Sequence, residues 1–141
     1  LVVQPLLEGI PESTVTLRIL IKSYDNLMDR NITKVVVNKS SSALYFSKAM
    51  IPWDRDDIIQ NSSVDPLKPF WYKHIGLYAY RKNFLMEFGS LPSSSLEQIE
   101  KLEQLRILEN GYNIKVVETN LDSIGVDCIE DLVVIEKRLA G

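Results

Sequence analysis

The segment Lys73-His-Ile-Gly-Leu-Tyr-Ala-Tyr80 alternates between two kinds of side chain, and this alternation predicts a β-strand with two different faces. The apolar face, which is suited to a core, consists of Ile75, Leu77 and Ala79. The other face is polar and aromatic with a gap at a glycine, and consists of His74, Gly76, Tyr78 and Tyr80. We expect this second face to form the floor of a pocket, because it is aromatic and polar and has a gap at Gly76. An extended strand at ~3.3 Å per residue would place His74 and Tyr78 about 13 Å apart along it.

Further strand patterns lie on both sides of this segment in the chain. Residues 14–21 are rich in β-branched side chains and predict a strand, and Ile114–Glu118 predicts another. Residues 34–38 and Ala43–Ser47 predict a hairpin, because the serine-rich stretch between them is typical of a turn. Residues 54–69 carry several Asp and Pro and predict a long loop, which is often functional or mobile.

Two helices are predicted in the second half of the chain. The first begins at Ser95, an N-cap with Gln98 three residues later, and ends at Asn110-Gly111. Its apolar stripe, which would face the core, consists of Leu96, Ile99, Leu102, Leu105 and Leu108. A last helix is predicted over residues 129–139. Strands interleaved with helices predict a single α/β domain over residues 1–141, with a mixed sheet, flanking helices and hairpins on one side.

The composition excludes several classes of protein. A length of 141 residues with 45% hydrophobic content is sufficient for one core, and a net charge of −3 without clustered Lys and Arg argues against a nucleic-acid partner. No apolar stretch is long enough for a membrane span. One cysteine and one histidine exclude a Cys/His zinc site formed by this chain alone, and the single Cys128 fits a reducing cytoplasm.

Neither a glycine-rich phosphate loop nor a Gly-x-Ser-x-Gly motif occurs, so the more specific signal is a set of longer strings. Five strings occur in fixed order: Leu44-Tyr-Phe-Ser-Lys-Ala-Met-Ile-Pro-Trp-Asp-Arg55, Lys73-His-Ile-Gly-Leu-Tyr-Ala-Tyr-Arg81, Leu91-Pro-Ser-Ser-Ser-Leu-Glu97, Leu102-Glu-Gln-Leu-Arg106 and Ser123-Ile-Gly-Val-Asp-Cys-Ile-Glu-Asp-Leu132. Together they resemble the 3-deoxy-manno-octulosonate cytidylyltransferase family, the CMP-Kdo synthetases of lipopolysaccharide biosynthesis. The resemblance runs from about Thr14 to the end of the chain.

The resemblance implies a nucleotide-diphospho-sugar-transferase-like fold whose N-terminal nucleotide-binding half is absent from this chain. In the family, that half contains a basic phosphate-binding loop and a Gln-Gly-Asp-Glu-Pro string with a metal-binding aspartate, and Gln4-Pro5 is not that string. The chain is therefore expected to hold the sugar-acid side and one metal-ligand side of the active site. By itself it is expected to be inactive.

The implied reaction is nucleotidyl transfer between CTP and 3-deoxy-manno-octulosonate (Kdo), giving CMP-Kdo and pyrophosphate. The sugar's anomeric hydroxyl attacks an anionic phosphate, and Mg²⁺ is the expected cofactor because it offsets the negative charge and orients the displacement. The resemblance further implies a cytoplasmic homodimer.

Asp127 corresponds to the family's second metal-binding aspartate and is the predicted catalytic residue and magnesium ligand. Its alternative role is a helix N-cap, with Glu130 completing a capping box. The family usually has Thr-Pro after this aspartate, whereas this chain has Cys128-Ile129, so the cap is expected to be weaker while the carboxylate is kept.

The other predicted site residues are ligands of the sugar acid, and by resemblance they are Arg55, His74, Tyr78, Glu103 and Gln104. Each has a purely structural alternative: a solvated loop charge for Arg55, a sheet-surface pair for His74 and Tyr78, and ordinary polar helix positions for Glu103 and Gln104. Adjacent residues on a helix point about 100° apart, so at most one of the last two is expected to point straight into the pocket.

Two other functions stay open at the level of sequence. One is a related cytidylyltransferase for another acidic sugar, such as a sialic-acid type, against which the His74-Ile-Gly-Leu-Tyr78 string argues. The other is a non-catalytic sugar-acid-binding or assembly module, which only the missing nucleotide half supports.

Overall fold

A computed structural model describes residues 1–55 and 70–122 of the chain. Within these residues, five strands form one sheet: β1 (Thr14–Leu20), β2 (Lys34–Val37), β3 (Ala43–Ser47), β4 (Tyr72–Tyr80) and β5 (Ile114–Glu118). The helices of the same residues are α1 (Gln4–Leu7), α2 (Tyr24–Met28), α3 (Lys82–Phe88), α4 (Ser95–Glu100) and α5 (Leu105–Glu109). None of these helices is long and apolar enough to cross a bilayer.

The sheet is mixed, as the sequence predicts. The strand order is β3-β2-β4-β1-β5, with β4 central. The pairs β2–β3, β2–β4 and β1–β4 are antiparallel, whereas β1 and β5 run parallel. All the predicted strands of the described residues are confirmed within about two residues at their ends. The predicted helix over residues 129–139 lies outside the described residues.

The alternation of β4 is interrupted where the strand pairs with β1. Val15 pairs with Ala79 and Leu17 with Ile75, so residues 76–78 lie opposite Thr16 alone. Such a bulge re-aims side chains. Ile75 is buried as predicted, but Leu77 is 53% exposed, so the prediction that Leu77 sits on the core is wrong. The predicted gap at Gly76 is confirmed, since a Cβ added there would meet no atom within 4 Å.

The main core lies between the sheet and the helices α3 and α5. Its buried members are Val35, Ala43, Phe46, Phe84, Phe88, Leu102, Leu105, Ile107, Ile114 and Val116. Tyr80 stacks on Phe84 and Phe88, with ring centroids 6.5 Å and 6.1 Å apart. Helix α3 therefore packs on the Tyr80 end of the polar and aromatic face of β4, which is the face predicted to form a pocket.

The prediction of a single helix with Ser95 as its N-cap is wrong in two respects: the structure has two short helices, and the first of them has a different N-cap. Ser94, not Ser95, is the N-cap, and Glu97 completes its capping box. Lys101 has φ 57°, a left-handed conformation that ends α4. As a result Ile99 is 77% exposed, although the predicted stripe places it in the core, while Leu102 and Leu105 are buried.

The break at Lys101 folds α5 back beside α4. Arg106 Nε donates to Glu97 Oε2 at 2.8 Å and Arg106 Nη2 donates to Glu97 Oε1 at 2.5 Å. In one continuous helix these residues would be about 14 Å apart along the axis, at 1.5 Å per residue. A bidentate pair of this kind is geometrically specific, and it stabilises the turn between the two helices.

Replacing Glu97 by Gln should therefore lower the free energy of unfolding at neutral pH. The hydrogen bonds from Arg106 lower the pKa of Glu97 from 4.5 to about 2. The stabilisation is thus complete above pH 4.5 and is lost as the pH falls toward 2. Urea unfolding of both proteins across this range should show a difference that disappears at the acidic end. A difference that is constant with pH would contradict the ion pair's role.

Candidate functional site

His74 lies in β4 at the register position of Arg18 in β1 and is 9% exposed. Its Nε2 lies 2.9 Å from the Thr16 hydroxyl oxygen, and its ring meets Phe46 edge-on with centroids 4.9 Å apart. Burial lowers the pKa of His74 from 6.5 to about 4, so the imidazole is neutral at pH 7. A neutral imidazole recognises a ligand through hydrogen bonds and not through charge.

The proton on the Thr16 hydroxyl has other acceptors nearby. The Thr16 oxygen lies 3.2 Å from the carbonyl oxygen of Ile75 and 3.0 Å from that of Leu77. Carbonyl oxygens only accept hydrogen bonds, so the Thr16 hydroxyl donates to one of them and accepts from His74 Nε2–H. In this arrangement both the hydroxyl and Nε2 have a hydrogen-bond partner. This arrangement favours the tautomer that leaves Nδ1 of His74 as an acceptor.

Tyr78 is close to His74, which contradicts the predicted separation along the strand. Their ring centroids are 5.5 Å apart and the rings are tilted by 54°. The bulge at residues 76–78 is the physical reason, because it shortens the path that an extended strand would take. Tyr78 also stacks on Tyr80, with centroids 5.7 Å apart. His74, Tyr78 and Tyr80 therefore form a continuous row of rings.

The Tyr78 hydroxyl is buried and has no hydrogen-bond partner among the described residues. Burial raises the pKa of Tyr78 well above its usual range, with a further rise from the charge of Tyr80 and a smaller one from Glu103. The nearby Thr16 hydroxyl opposes this rise but does not satisfy the Tyr78 oxygen, because Thr16 is engaged with His74 and two carbonyls. A buried hydroxyl without a hydrogen-bond partner indicates a position where a bound ligand supplies the missing hydrogen bond.

Glu103 and Gln104 occupy the turn between α4 and α5. The Glu103 carboxylate is exposed, and its charge contributes to raising the pKa of Tyr80 to about 12, after burial. Gln104 is the N-cap residue of α5 and is 8% exposed. The Glu103 carboxylate is therefore close enough to the tyrosine row to act on it electrostatically, whereas Gln104 is buried at the start of α5.

Arg55 and Asp127 are not brought into this cluster by the described residues. Arg55 is exposed in a turn at the end of the first described range, and no hydrogen bond or ion pair joins it to another described residue. Asp127 lies outside the described residues. Among residues 1–55 and 70–122, no group of three His, Cys, Asp or Glu side chains is arranged to hold a metal ion. The roles of both residues stay predictions.

Two neighbours of His74 are missing from the residues that sequence reasoning selected. Thr16 contacts the imidazole nitrogen and Phe46 packs against its ring. Alternation in β1 places Thr14, Thr16 and Arg18 on one face, which is a signal for a polar strip. The pairing of β1 with β4 joins residues 58 positions apart, so only the tertiary structure identifies Thr16 as the partner.

The fold agrees with comparisons to known proteins, and these comparisons identify the family to which the chain belongs. Residues 1–118 match the sequence model of the family described as cytidylyltransferase. Because this match covers most of the chain, the chain belongs to the cytidylyltransferase family.

Individual relatives are more specific. The chain is 48% identical over 139 residues to the 3-deoxy-manno-octulosonate cytidylyltransferase of Syntrophotalea carbinolica, covering 99% of this chain and 56% of that protein. It is 49% identical over 128 residues to the enzyme of the same name from Thermodesulfovibrio yellowstonii, covering 91% of this chain and 49% of that protein. The chain thus spans about half the length of the curated relatives it matches.

A solved structure shows the same fold. It is that of a CMP:2-keto-3-deoxy-manno-octonic acid synthetase complexed with CTP, and it superposes with a TM-score of 0.84 at 34% sequence identity. The match covers 99% of this chain and 54% of the solved chain. The predicted fold class and family are confirmed by these comparisons.

Proposed function

We propose that this chain forms the sugar-acid side of an enzyme that joins Kdo to CMP, with CTP as the nucleotide donor and pyrophosphate as the second product. The observation that carries the proposal is the pair of His74 and Tyr78: their rings lie 5.5 Å apart, and the Tyr78 hydroxyl is buried without a partner among the described residues. The family membership and the relatives' names support the reaction type. The proposed setting, supported by the family resemblance, is a cytoplasmic homodimer that serves lipopolysaccharide biosynthesis.

The cluster suits a ligand with many hydroxyl groups. Neutral His74 offers an acceptor at Nδ1, Tyr78 offers an unsatisfied hydroxyl, and the exposed Glu103 carboxylate accepts hydrogen bonds. None of these three supplies a positive charge for the carboxylate of a sugar acid. We therefore assign that task to Arg55, whose guanidinium matches a carboxylate in bidentate fashion.

Magnesium is proposed as the cofactor, with Asp127 as the ligand from this chain. A carboxylate is the type of donor that Mg²⁺ prefers, and the family resemblance assigns a second aspartate to the nucleotide-binding half. When bound, the ion supplies positive charge that stabilises the phosphate groups of CTP. The remaining contribution of this chain is to bind and orient the sugar.

The test of the proposed function is pyrophosphate release by a protein of full family length that carries these residues. With CTP and Mg²⁺, we expect turnover with Kdo and little turnover with a sialic-acid-type sugar. Turnover with the second sugar alone would assign the chain to a related cytidylyltransferase. No turnover with either, combined with measurable Kdo binding, would indicate a non-catalytic binding module.

Tyr78→Phe gives a sharper test of the sugar side. Loss of one hydrogen bond to an uncharged partner should raise KM for Kdo about two- to tenfold and leave KM for CTP nearly unchanged. The melting temperature should be unchanged or slightly higher, because the buried hydroxyl has no partner in the unliganded protein. An equal rise in both KM values, or a clear drop in melting temperature, would count against a role in sugar binding.

A further inference from the structure

Charged side chains hold the peptide backbone of Lys48 from both sides. The Lys34 ammonium donates to the carbonyl oxygen of Lys48 at 3.1 Å, and the backbone N–H of Lys48 donates to Glu100 Oε2 at 3.2 Å. Lys48 directly follows β3, and it begins the segment that ends at Arg55. Hydrogen bonds to ionised groups are stronger than neutral ones, so this is a firm attachment of the backbone.

Lys34 is a fully buried lysine, with 0% of its surface exposed. Its ammonium donates to three carbonyl oxygens: that of Lys48, that of Asp29 at 2.5 Å and that of Ile32 at 2.9 Å. Burial lowers the pKa of Lys34, the charge of Asp29 opposes this, and the charge of Lys48 adds to it. Burying an ammonium is costly unless its donors are satisfied, and here backbone carbonyls satisfy all three.

Glu100 is the last residue of α4 and reaches the end of β3 with both carboxylate oxygens. Its Oε1 accepts from the hydroxyls of Ser47 at 2.7 Å and Tyr45 at 3.4 Å. The Ser47 hydroxyl oxygen in turn accepts from the backbone N–H of Ala49 at 3.0 Å. Three consecutive residues, 47–49, are therefore tied to α4 through one carboxylate.

The rest of the segment is attached to the strand that carries His74. Trp71 Nε1 donates to the carbonyl oxygen of Pro52 at 2.9 Å, and Trp71 directly precedes β4. Met50 packs against the small core around Trp71, and Asp54 is 7% exposed. The path from Lys48 to Arg55 is thus held at its start by Lys34 and Glu100, and in its middle by Trp71.

We propose that Lys34 and Glu100 are positioning residues that hold the Lys48 peptide and thereby set the conformation of residues 48–55. Their kinetic effect rests on the proposed function, because Arg55 is the group that this segment presents to the sugar acid. Misplacement of a binding group by about 1 Å is enough to lose up to a hundredfold in rate or affinity. The pair acts through Arg55 and has no contact with reacting atoms.

The test uses a full-length protein with Glu100→Gln and, separately, Lys34→Met. We expect backbone amide exchange across residues 48–55 to become about tenfold faster in each variant, since one hydrogen bond to a charged group is lost. KM for Kdo should rise about tenfold to a hundredfold, with KM for CTP changed less than about twofold. If Lys34→Met fails to fold, the result for Glu100→Gln tests the proposal, because Glu100→Gln leaves the buried ammonium of Lys34 in place.

Matched controls exist in the same fold. Lys115→Met removes an ammonium that donates to the carbonyl oxygen of Ser40, at the other end of the β2–β3 hairpin. Glu109→Gln removes a carboxylate that accepts from the backbone N–H of Leu96 at 2.8 Å. Both controls should leave amide exchange over residues 48–55 and KM for Kdo as in the parent protein.

The outcomes separate the two proposals. Unchanged exchange over residues 48–55 in Glu100→Gln overturns the positioning role, and so does faster exchange with an unchanged KM for Kdo. A parent protein that binds neither Kdo nor CTP overturns the proposed function instead. In that case amide exchange alone still decides whether the pair holds the segment.

Discussion

Replacing Asp127 by Asn should lower nucleotidyl transfer by at least about 100-fold in a protein of full family length, since a lost metal ligand removes several kcal/mol of charge stabilisation. Part of the activity should return at high Mg²⁺, because the change weakens metal binding and leaves the sugar contacts in place. The melting temperature should hardly move, since Asn caps a helix about as well as Asp. Turnover as a function of Mg²⁺ and the thermal midpoint, measured on one preparation, check both statements.

Asp122→Asn is a suitable control for this experiment. Asp122 lies five positions before Asp127 in the sequence and pairs with Lys73 at 2.8 Å, with about half of its side chain exposed. An exposed ion pair contributes little, roughly 0–1 kcal/mol, so this variant should keep turnover within a few-fold of the parent. If Asp127→Asn behaves like Asp122→Asn, then Asp127 serves only as a helix cap.

Replacing His74 by Ala should have the second-largest effect, on both stability and sugar binding. The imidazole is buried against Phe46 and Tyr78, so its removal leaves a cavity and should cost about 2–4 kcal/mol of unfolding free energy. Loss of its hydrogen bonds should raise KM for Kdo roughly tenfold, with much less change for CTP. Urea unfolding and steady-state kinetics measure the two effects separately.

The control for His74→Ala is a substitution that destabilises the core without touching the sugar side. Val116 is 1% exposed in β5, which is two strands away from β4 in the sheet. Val116→Ala should lower stability while leaving the ratio of the two KM values unchanged. If it changes that ratio as much as His74→Ala does, the kinetic effect of His74 reflects folding damage and not recognition.

The pH dependence of stability offers a further check on His74. The pKa of His74 is about 4 in the folded protein and 6.5 without burial. Between these pH values the imidazole is therefore protonated in the unfolded chain and neutral in the folded protein. Stability is therefore unaffected above pH 6.5 and falls as the pH drops toward 4, by up to roughly 3 kcal/mol. This part of the pH dependence should be absent in His74→Ala.

Local sequence patterns were sufficient for the strands of the described residues and for the end of α5. Period-two alternation identifies β4, runs of strand-forming residues identify β1 and β5, and the serine-rich turn identifies the β2–β3 hairpin, because these features depend on neighbouring residues. The helix from Ser95 shows where such patterns fail. A left-handed residue at Lys101 ends α4, and the Glu97–Arg106 ion pair joins the two helices across the break. A periodic stripe contains neither piece of information.

For the site, the sequence by itself determined the family and the candidate site residues, because five strings in fixed order carry the family resemblance. Only the tertiary structure decided how those residues meet. The bulge opposite Thr16 brings the rings of His74 and Tyr78 to 5.5 Å, whereas an ideal strand would keep them apart. Likewise, Lys34 looks like an ordinary strand lysine, yet folding buries it against three carbonyls from two separate segments. The physical reason is the same in each case: strand register and burial depend on contacts between residues far apart in the chain, and no local period encodes them.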